Sequence, residues 1–284
     1  MDDLELLRRD PNSRRNFLER MGMIGLGVAA AGLISGCGGG SGGSNNNNGG
    51  DGGGGNGGNN PSAPGPIANV YPAAFGAGAV AVLNYSLAYE TMEAALYTQA
   101  LNVASGLPIG NALVPAAQAN STYTLKVNSN IDRPVLGFTF LKQLAYIEAG
   151  HSAFFKLAVQ ANGGTPVPPN PGGYAFPNGP GNNLRDILRT VLPVQETSNR
   201  AVLGASPDIA NNLNLLQTAG TIYSTECRYS AGIRFSLDDE GETGPVFMDG
   251  DRQVVAQAPS AQTFEKFKAA QEVLAFAQQF MVTA

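Results

Sequence analysis

The chain has 284 residues, of which 43% are hydrophobic and 14% are charged, and its formal net charge is -5 at pH 7. That length is enough for one domain with a sizeable core. The mildly acidic balance, with no run of basic residues after the first 36, argues against nucleic acid as a partner. The two cysteines, Cys37 and Cys227, are too few for a disulfide-stapled scaffold.

Residues 1–36 have the features of an export signal. Residues 13–18 read SRRNFL, a close match to a twin-arginine export motif, with Arg14 and Arg15 as its pair. The apolar run that follows is shorter than the roughly 20 residues that a membrane-spanning helix needs. It ends at residues 33–37 in LISGC, which resembles a bacterial lipobox. We therefore expect Cys37 to be lipidated and to begin the mature protein; the alternative is an ordinary loop thiol.

A flexible tether is expected over residues 37–66, which are almost entirely Gly, Asn and Ser until three prolines near the end. It would hold a folded domain, residues 67–284, away from a membrane surface. Gly38, rather than an aspartate, follows Cys37, which favours the outer membrane in a two-membrane bacterium. The predicted location is the periplasmic side of the cell envelope, with the membrane as a partner through the lipid anchor.

The folded domain contains five segments whose apolar residues recur at helical spacing. The first four form a predicted bundle. The fifth is expected on the outside or end of that bundle, or in a contact between copies of the chain. A Pro- and Gly-rich connection at residues 163–182 suits an up-down-down-up bundle, because its crossover must span the bundle length. The predicted helices cover residues 75–103, 132–160, 183–203, 206–237 and 262–280.

Local signals mark where three of these helices begin. Asp132 and Asn183 are the predicted N-caps of the second and third helices, and Pro134 fits a first helical turn. Ser206 begins the fourth helix. Pro193 lies inside the third helix, where a proline is expected to kink the helix or break one turn.

Three acidic residues and the single histidine lie on stripes that should face the core. Glu90 interrupts the apolar stripe of the first helix, and Glu226 that of the fourth. Glu148 and His151 lie together on the stripe of the second helix, three residues apart and therefore on one face. A buried carboxylate is costly unless it is paired, protonated or bound to a metal. Glu93 lies off the stripe and is expected to be solvated.

The third helix leaves two candidates open. Its best register puts Gln195 at the height of the other polar residues and Glu196 about 100° round the helix. A kink at Pro193 would bring Glu196 inward instead. On the fourth helix, Tyr229 follows Glu226 by three residues, where a second histidine would complete the set.

This pattern resembles the ferritin-like superfamily, and more closely the exported bacterial ferritin-like domain family often labelled desiccation-related. The resemblance is carried by residues 83–90 with Glu93 and Tyr97, by residues 148–151 and by residues 222–234. It implies an all-α, ferritin-like four-helix bundle with long loops and an extra C-terminal helix. It also implies a carboxylate and histidine site for iron or manganese.

Two departures from that family limit the site. Tyr229 stands where the family has histidine, and the third-helix glutamate of the family falls on Gln195. Three carboxylates balance less charge than two divalent ions bring, which is unfavourable in a core. Recruitment of Glu196, or of Tyr229 as a phenolate, would restore the balance; otherwise a single ion is expected. A vestigial site would hold no metal, with its carboxylates protonated or paired to arginine.

The sequence therefore supports two functions. In the first, Glu148 and Glu226 are central carboxylates, Glu90 and His151 ligate one ion, and the open positions allow oxidation of ferrous iron or chemistry on oxygen or peroxide. In the second, the bundle is a non-catalytic envelope scaffold or a stress-tolerance protein with a vestigial site. Whether the protein is an enzyme stays open.

Overall fold

The computed structural model of the protein describes residues 68–110, 123–237 and 267–284. The export motif with Arg14 and Arg15, the lipidation site Cys37 and the tether at residues 37–66 lie outside these ranges and stay predictions. None of the described helices is both long and apolar enough to span a membrane.

The described residues form an all-α fold, as the sequence predicts. They contain no strand, and a single antiparallel bridge joins Tyr174 to Met281. Short 3-10 turns precede the first and fourth helices, at Ala73–Phe75 and Ser206–Ile209. The helices are α1 (Gly78–Ala104), α2 (Pro134–Ala161), α3 (Leu184–Ala205), α4 (Leu213–Leu237) and α5 (Ala270–Gln278).

Most predicted helix ends lie within three residues of the observed ones, and the exceptions have local causes. The predicted start of the fourth helix at Ser206 is wrong, because residues 206–209 form a 3-10 turn and α4 begins only at Leu213. The fifth helix was predicted from residue 262, but it begins at Ala270, after the extended Ala269. The residues before 267 lie outside the described ranges.

Of the two predicted N-caps, Asn183 is confirmed and Asp132 is wrong. The side chain of Asn183 accepts a hydrogen bond from the backbone N–H of Asp186 at 3.0 Å, as expected of an N-cap. Asp132 is not the cap of α2, because Arg133 directly precedes Pro134 and the helix has no side-chain cap. The helical run of α3 continues through Pro193, so the broken turn is absent. Val191 and Val194, both fully buried, hold that stretch against the bundle.

The four long helices form a bundle in which α1 and α4 each pack against both α2 and α3. Their directions follow from one cavity at an end of the bundle. Its lining includes Leu83 and Leu215, near the starts of α1 and α4, and Phe155 and Val202, toward the ends of α2 and α3. The order is therefore up-down-down-up, with residues 162–183 as the crossover.

The C-terminal segment packs across α1 and α3. The backbone N–H of Lys268 donates to the carbonyl of Arg200 at 3.1 Å. Gly204 makes this approach possible, since a Cβ at that position would overlap the carbonyl oxygen of Lys268. The side chain of Asn69 donates to the carbonyl of Gly204 and accepts from the N–H of Ala270, both at 2.8 Å. The first and last described segments are thus joined beside α3.

Candidate metal centre

The single histidine of the chain lies among three carboxylates in the middle of the bundle. The Nδ1 atom of His151 is 3.3 Å from Glu90 Oε2, 3.2 Å from Glu148 Oε2 and 3.0 Å from Glu226 Oε1. All four side chains are buried. Each offers one ligand atom, and these four atoms lie within 4.8 Å of one another. The four residues are called the Glu/His cluster below.

Helical spacing brings the cluster together from three elements. Glu148 and His151 share one face of α2 because they are three residues apart. Glu90 on α1 and Glu226 on α4 interrupt apolar stripes that pack against α2. The sequence predicted that these four residues face one core, and the structure places them in one group.

Gln195, rather than Glu196, is the residue of α3 that reaches the cluster. Gln195 is fully buried and its Nε2 donates a hydrogen bond to Glu226 Oε2. Glu196 instead accepts from Arg234 Nε at 2.9 Å and from Arg200 Nη2 at 3.3 Å. Two guanidinium partners hold this carboxylate outside the group, so it does not supply the missing charge.

Tyr229 lies near the cluster, partly buried on α4. Its ring makes an edge contact with Phe140, with centroids 6.3 Å apart. Burial raises the pKa of the Tyr229 hydroxyl, and the charges of Glu148 and Glu226 raise it further. The phenol is therefore protonated when no cation is present, and Tyr229 adds no negative charge to the cluster by itself.

Glu93 is a further buried carboxylate beside the cluster, and sequence reasoning missed it. The expectation that it is solvated is wrong, because its side chain is 0% exposed. Its Oε1 accepts a hydrogen bond of 2.7 Å from the hydroxyl of Tyr97, which is also fully buried. The sequence did contain a signal. Glu90 and Glu93 are the only charged residues of α1, so that helix has no polar face to turn toward water.

A family model described as a ferritin-like domain matches residues 78–239, more than half of the chain. The protein belongs to the ferritin-like domain family. The matched residues contain α1 to α4, and with them every side chain of the cluster. A comparison with curated proteins found no match.

In the ferritin-like core, the carboxyl groups around His151 outnumber the single imidazole. Burial raises the pKa of Glu93 and of Glu148 well above the ordinary value, and the neighbouring carboxylates raise both further. Burial also acts to lower the pKa of His151, but Glu90, Glu148 and Glu226 outweigh it and raise that pKa. Without a cation Glu93 and Glu148 therefore keep protons that exposed carboxyl groups lose at neutral pH.

Several oxygen atoms around the cluster lack a partner. Glu93 Oε2, Glu148 Oε1 and Gln195 Oε1 are buried and make no hydrogen bond within the described part of the chain. Buried polar atoms are normally satisfied, and a cation bound beside these three would satisfy them. Carboxylate and carbonyl oxygens with one imidazole form a donor set suited to iron, manganese or zinc. Glu90, Glu148, His151 and Glu226 could therefore hold a metal ion.

Proposed function

We propose that this ferritin-like protein binds one or two iron or manganese ions in the Glu/His cluster and uses them in redox or peroxide-related chemistry. The observation that carries the proposal is the group of three buried carboxylates within 3.3 Å of one imidazole nitrogen. One N–H group donates to one acceptor well and cannot satisfy three carboxylates at once. A cation at their centre would satisfy all of them.

The side chains divide into ligands and supports. Glu90, Glu148, His151 and Glu226 would hold the first ion. Gln195 fixes the orientation of Glu226 through its amide hydrogen bond, as the support of a ligand carboxylate should. A bound iron or manganese ion would supply a redox centre with open coordination positions.

Glu93 changes the charge balance that the sequence predicted. With Glu90, Glu148 and Glu226 it gives four buried carboxylates that are not paired with arginine, and their charge equals that of two divalent ions. Glu93 Oε2 and Gln195 Oε1 provide further oxygen donors beside the cluster. The presence of Tyr229 where the family has a second histidine therefore does not by itself limit the protein to one ion.

A second function is favoured by one observation. Where the family has a glutamate on the third helix this chain has Gln195, and the adjacent Glu196 is paired with Arg200 and Arg234. A metal-free cluster with protonated carboxylates would leave a scaffold protein of the cell envelope, with a role in stress tolerance. The two functions differ in whether the purified protein contains metal.

The proposal extends to location. We propose that the chain is exported by the twin-arginine route and lipid-anchored at Cys37 in the cell envelope, and that it belongs to the exported, desiccation-related type of ferritin-like protein. The SRRNFL and LISGC motifs support this, together with the Gly- and Asn-rich tether after them. Export of a folded protein by this route is compatible with metal loading in the cytoplasm.

Metal content tests the proposed function directly. The full-length chain, purified without chelators, should contain about one or two equivalents of iron or manganese. Its melting temperature should rise when either metal is added to chelated protein. His151→Ala should lower the affinity by at least about tenfold, whereas Gln160→Ala, an exposed change on α2, should bind as the wild type does. Metal-free wild type with an unchanged melting temperature would favour the scaffold function.

A further inference from the structure

An apolar cavity, partly open at one end of the bundle, lies between the four bundle helices on one side of the Glu/His cluster. Its volume is about 30 Å³. Its walls include Leu83 on α1, Phe155 on α2, Val202 on α3 and Ile222 on α4. Leu83, Phe155 and Ile222 belong to a small hydrophobic cluster separate from the main core.

The lining makes the cavity a poor site for water. Among its walls only Ser86 and Thr218 carry a polar side-chain atom. The hydroxyl of Thr218 already donates to the carbonyl of Asn214 at 2.9 Å. A buried water typically needs about three hydrogen-bond partners, and apolar cavities stay dry or take up apolar molecules.

The size of the cavity selects a very small ligand. A space of roughly 10–15 Å³ is enough to hold one water molecule, and an apolar cavity of roughly 150 Å³ binds benzene. The space found here, about 30 Å³, lies close to the lower value and therefore suits a diatomic molecule. Such a ligand must also be uncharged, since the walls offer no counter-charge.

The cavity is one helical turn from the cluster on three helices. Ser86 precedes Glu90 by four residues, Phe155 follows His151 by four, and Ile222 precedes Glu226 by four. Four residues correspond to about 6 Å along a helix axis. A molecule in the cavity would thus lie about one helical turn from the carboxylates.

We propose that this cavity binds dioxygen and delivers it to the Glu/His cluster. Dioxygen is diatomic, uncharged and more soluble in apolar surroundings than in water, which matches the size and the lining of the site. Binding of the gas needs no metal. Its delivery to a reaction rests on the proposed function.

Dissolved dioxygen is paramagnetic, so it shortens the relaxation times of nuclei beside which it binds. The test compares two isoleucine methyl groups of α4 by NMR of the metal-free, full-length chain, with and without oxygen pressure. Ile222 lines the cavity, whereas Ile233 is fully buried in the main core. We expect the oxygen-induced relaxation at Ile222 to be severalfold greater than at Ile233. Equal effects at the two residues would overturn the proposal.

Two alanine-to-leucine variants of α4 provide the matched control. Ala219→Leu adds three carbons to the cavity wall and should lower the oxygen effect at Ile222 to that at Ile233. Ala231→Leu makes the same change at an exposed position and should leave the effect unchanged. Leu215→Ala, which enlarges the cavity, should increase it and provides an independent test if Ala219→Leu fails to fold. An oxygen-induced relaxation at Ile222 that does not change with the size of residues 215 and 219 would contradict a bound gas.

Delivery is tested with iron-loaded protein and two oxidants. Two ferrous ions each lose one electron, and one dioxygen molecule takes up both electrons and two protons and leaves as hydrogen peroxide. Ala219→Leu should slow oxidation by dioxygen severalfold and leave oxidation by added hydrogen peroxide, a polar molecule, unchanged. Equal slowing of both reactions would overturn delivery. A wild type that binds no iron would overturn the proposed function and delivery together, while the NMR comparison would still decide whether the gas binds.

Discussion

Glu93 shows how a single side chain alters the balance of the ferritin-like core. Its carboxyl group is fully buried, accepts a hydrogen bond from Tyr97 and lies close enough to Glu90 and Glu226 for their charges to raise its pKa. In the metal-free protein an ionised Glu93 is unfavourable. In the presence of cations the same charge becomes favourable. A substitution that removes the charge of Glu93 is therefore expected to have opposite effects on the stability of the metal-free and the metal-bound protein.

Glu93→Gln should therefore stabilise the metal-free protein at pH 8, by about 1 kcal/mol, and weaken the stabilisation produced by added manganese. The amide is close in shape to the carboxyl group, and its oxygen can still accept from Tyr97. Urea unfolding with and without manganese measures both effects. Asp132→Asn, an exposed carboxylate outside the core, is the control. A Glu93→Gln protein that is less stable without metal and equally stabilised by manganese would contradict this role.

The raised pKa values of Glu93, Glu148 and His151 also predict the pH dependence of the metal-free protein. A group whose pKa is higher in the folded state holds a proton that the unfolded chain has lost. Its contribution to stability is complete below the unfolded value and disappears as pH rises through the folded value. The melting temperature should therefore fall as pH rises above the ordinary values, 4.5 for the glutamates and 6.5 for the histidine. Calorimetry between pH 5 and pH 8, roughly the range in which histidine titrates, measures the slope. Bound metal should reduce or reverse it, since ligands bind metal deprotonated.

At the scale of elements, sequence periodicity predicted the buried faces of α2 and α4 well and that of α1 incompletely. Glu148, His151 and Glu226 lie on single apolar stripes, and those stripes face the core as predicted. α1 instead packs against α2, α3 and α5, so residues outside its stripe, such as Glu93, are buried too. An apolar stripe in the sequence identifies one buried face of a helix. The other faces depend on neighbours that are distant in sequence.

The α3 register shows a second limit of sequence reasoning. Gln195 and Glu196 are adjacent, and helical geometry allowed either to face the core once a kink at Pro193 was considered. The choice is made by Arg200, one turn along α3, and by Arg234 on α4, which together hold Glu196. The pairing with Arg234 joins residues 38 positions apart, a contact that the periodicity of one helix does not contain.

Gly204 is predicted to control the docking of the C-terminal segment on α3. Gly204→Ala should destabilise the protein by roughly 1–3 kcal/mol, because the added Cβ overlaps the carbonyl oxygen of Lys268. Hydrogen exchange should accelerate in α5 more than in α2. Gly220→Ala, at a helical position with open space around the Cβ, should be neutral or stabilising by up to about 1 kcal/mol. Equal stability of the two variants would show that the segment docks without this contact.

At the scale of the whole molecule, the bundle places its acidic centre and its apolar cavity in consecutive layers. The up-down-down-up order makes this possible, because it brings the starts of α1 and α4 to the same end as the ends of α2 and α3. Each helix can then contribute a polar residue to one layer and an apolar residue to the next. The helix number and the crossover were predictable from sequence, whereas a cavity depends on how side chains of four helices fill the space between them.

The proposed anchor gives the last prediction. In cells, the wild type should incorporate radiolabelled palmitate and fractionate with membranes, since each buried CH₂ of an acyl chain contributes about 0.8 kcal/mol to membrane binding. Cys37→Ser should remove the label and release the exported protein into the soluble fraction. Replacement of both Arg14 and Arg15 by lysine should leave the protein in the cytoplasm with its signal uncleaved. Cys227→Ser removes the other cysteine, which lies partly buried on α4, and should be labelled as the wild type is. Label that survives Cys37→Ser, or that depends on Cys227, would show that the LISGC motif is not the site of lipidation.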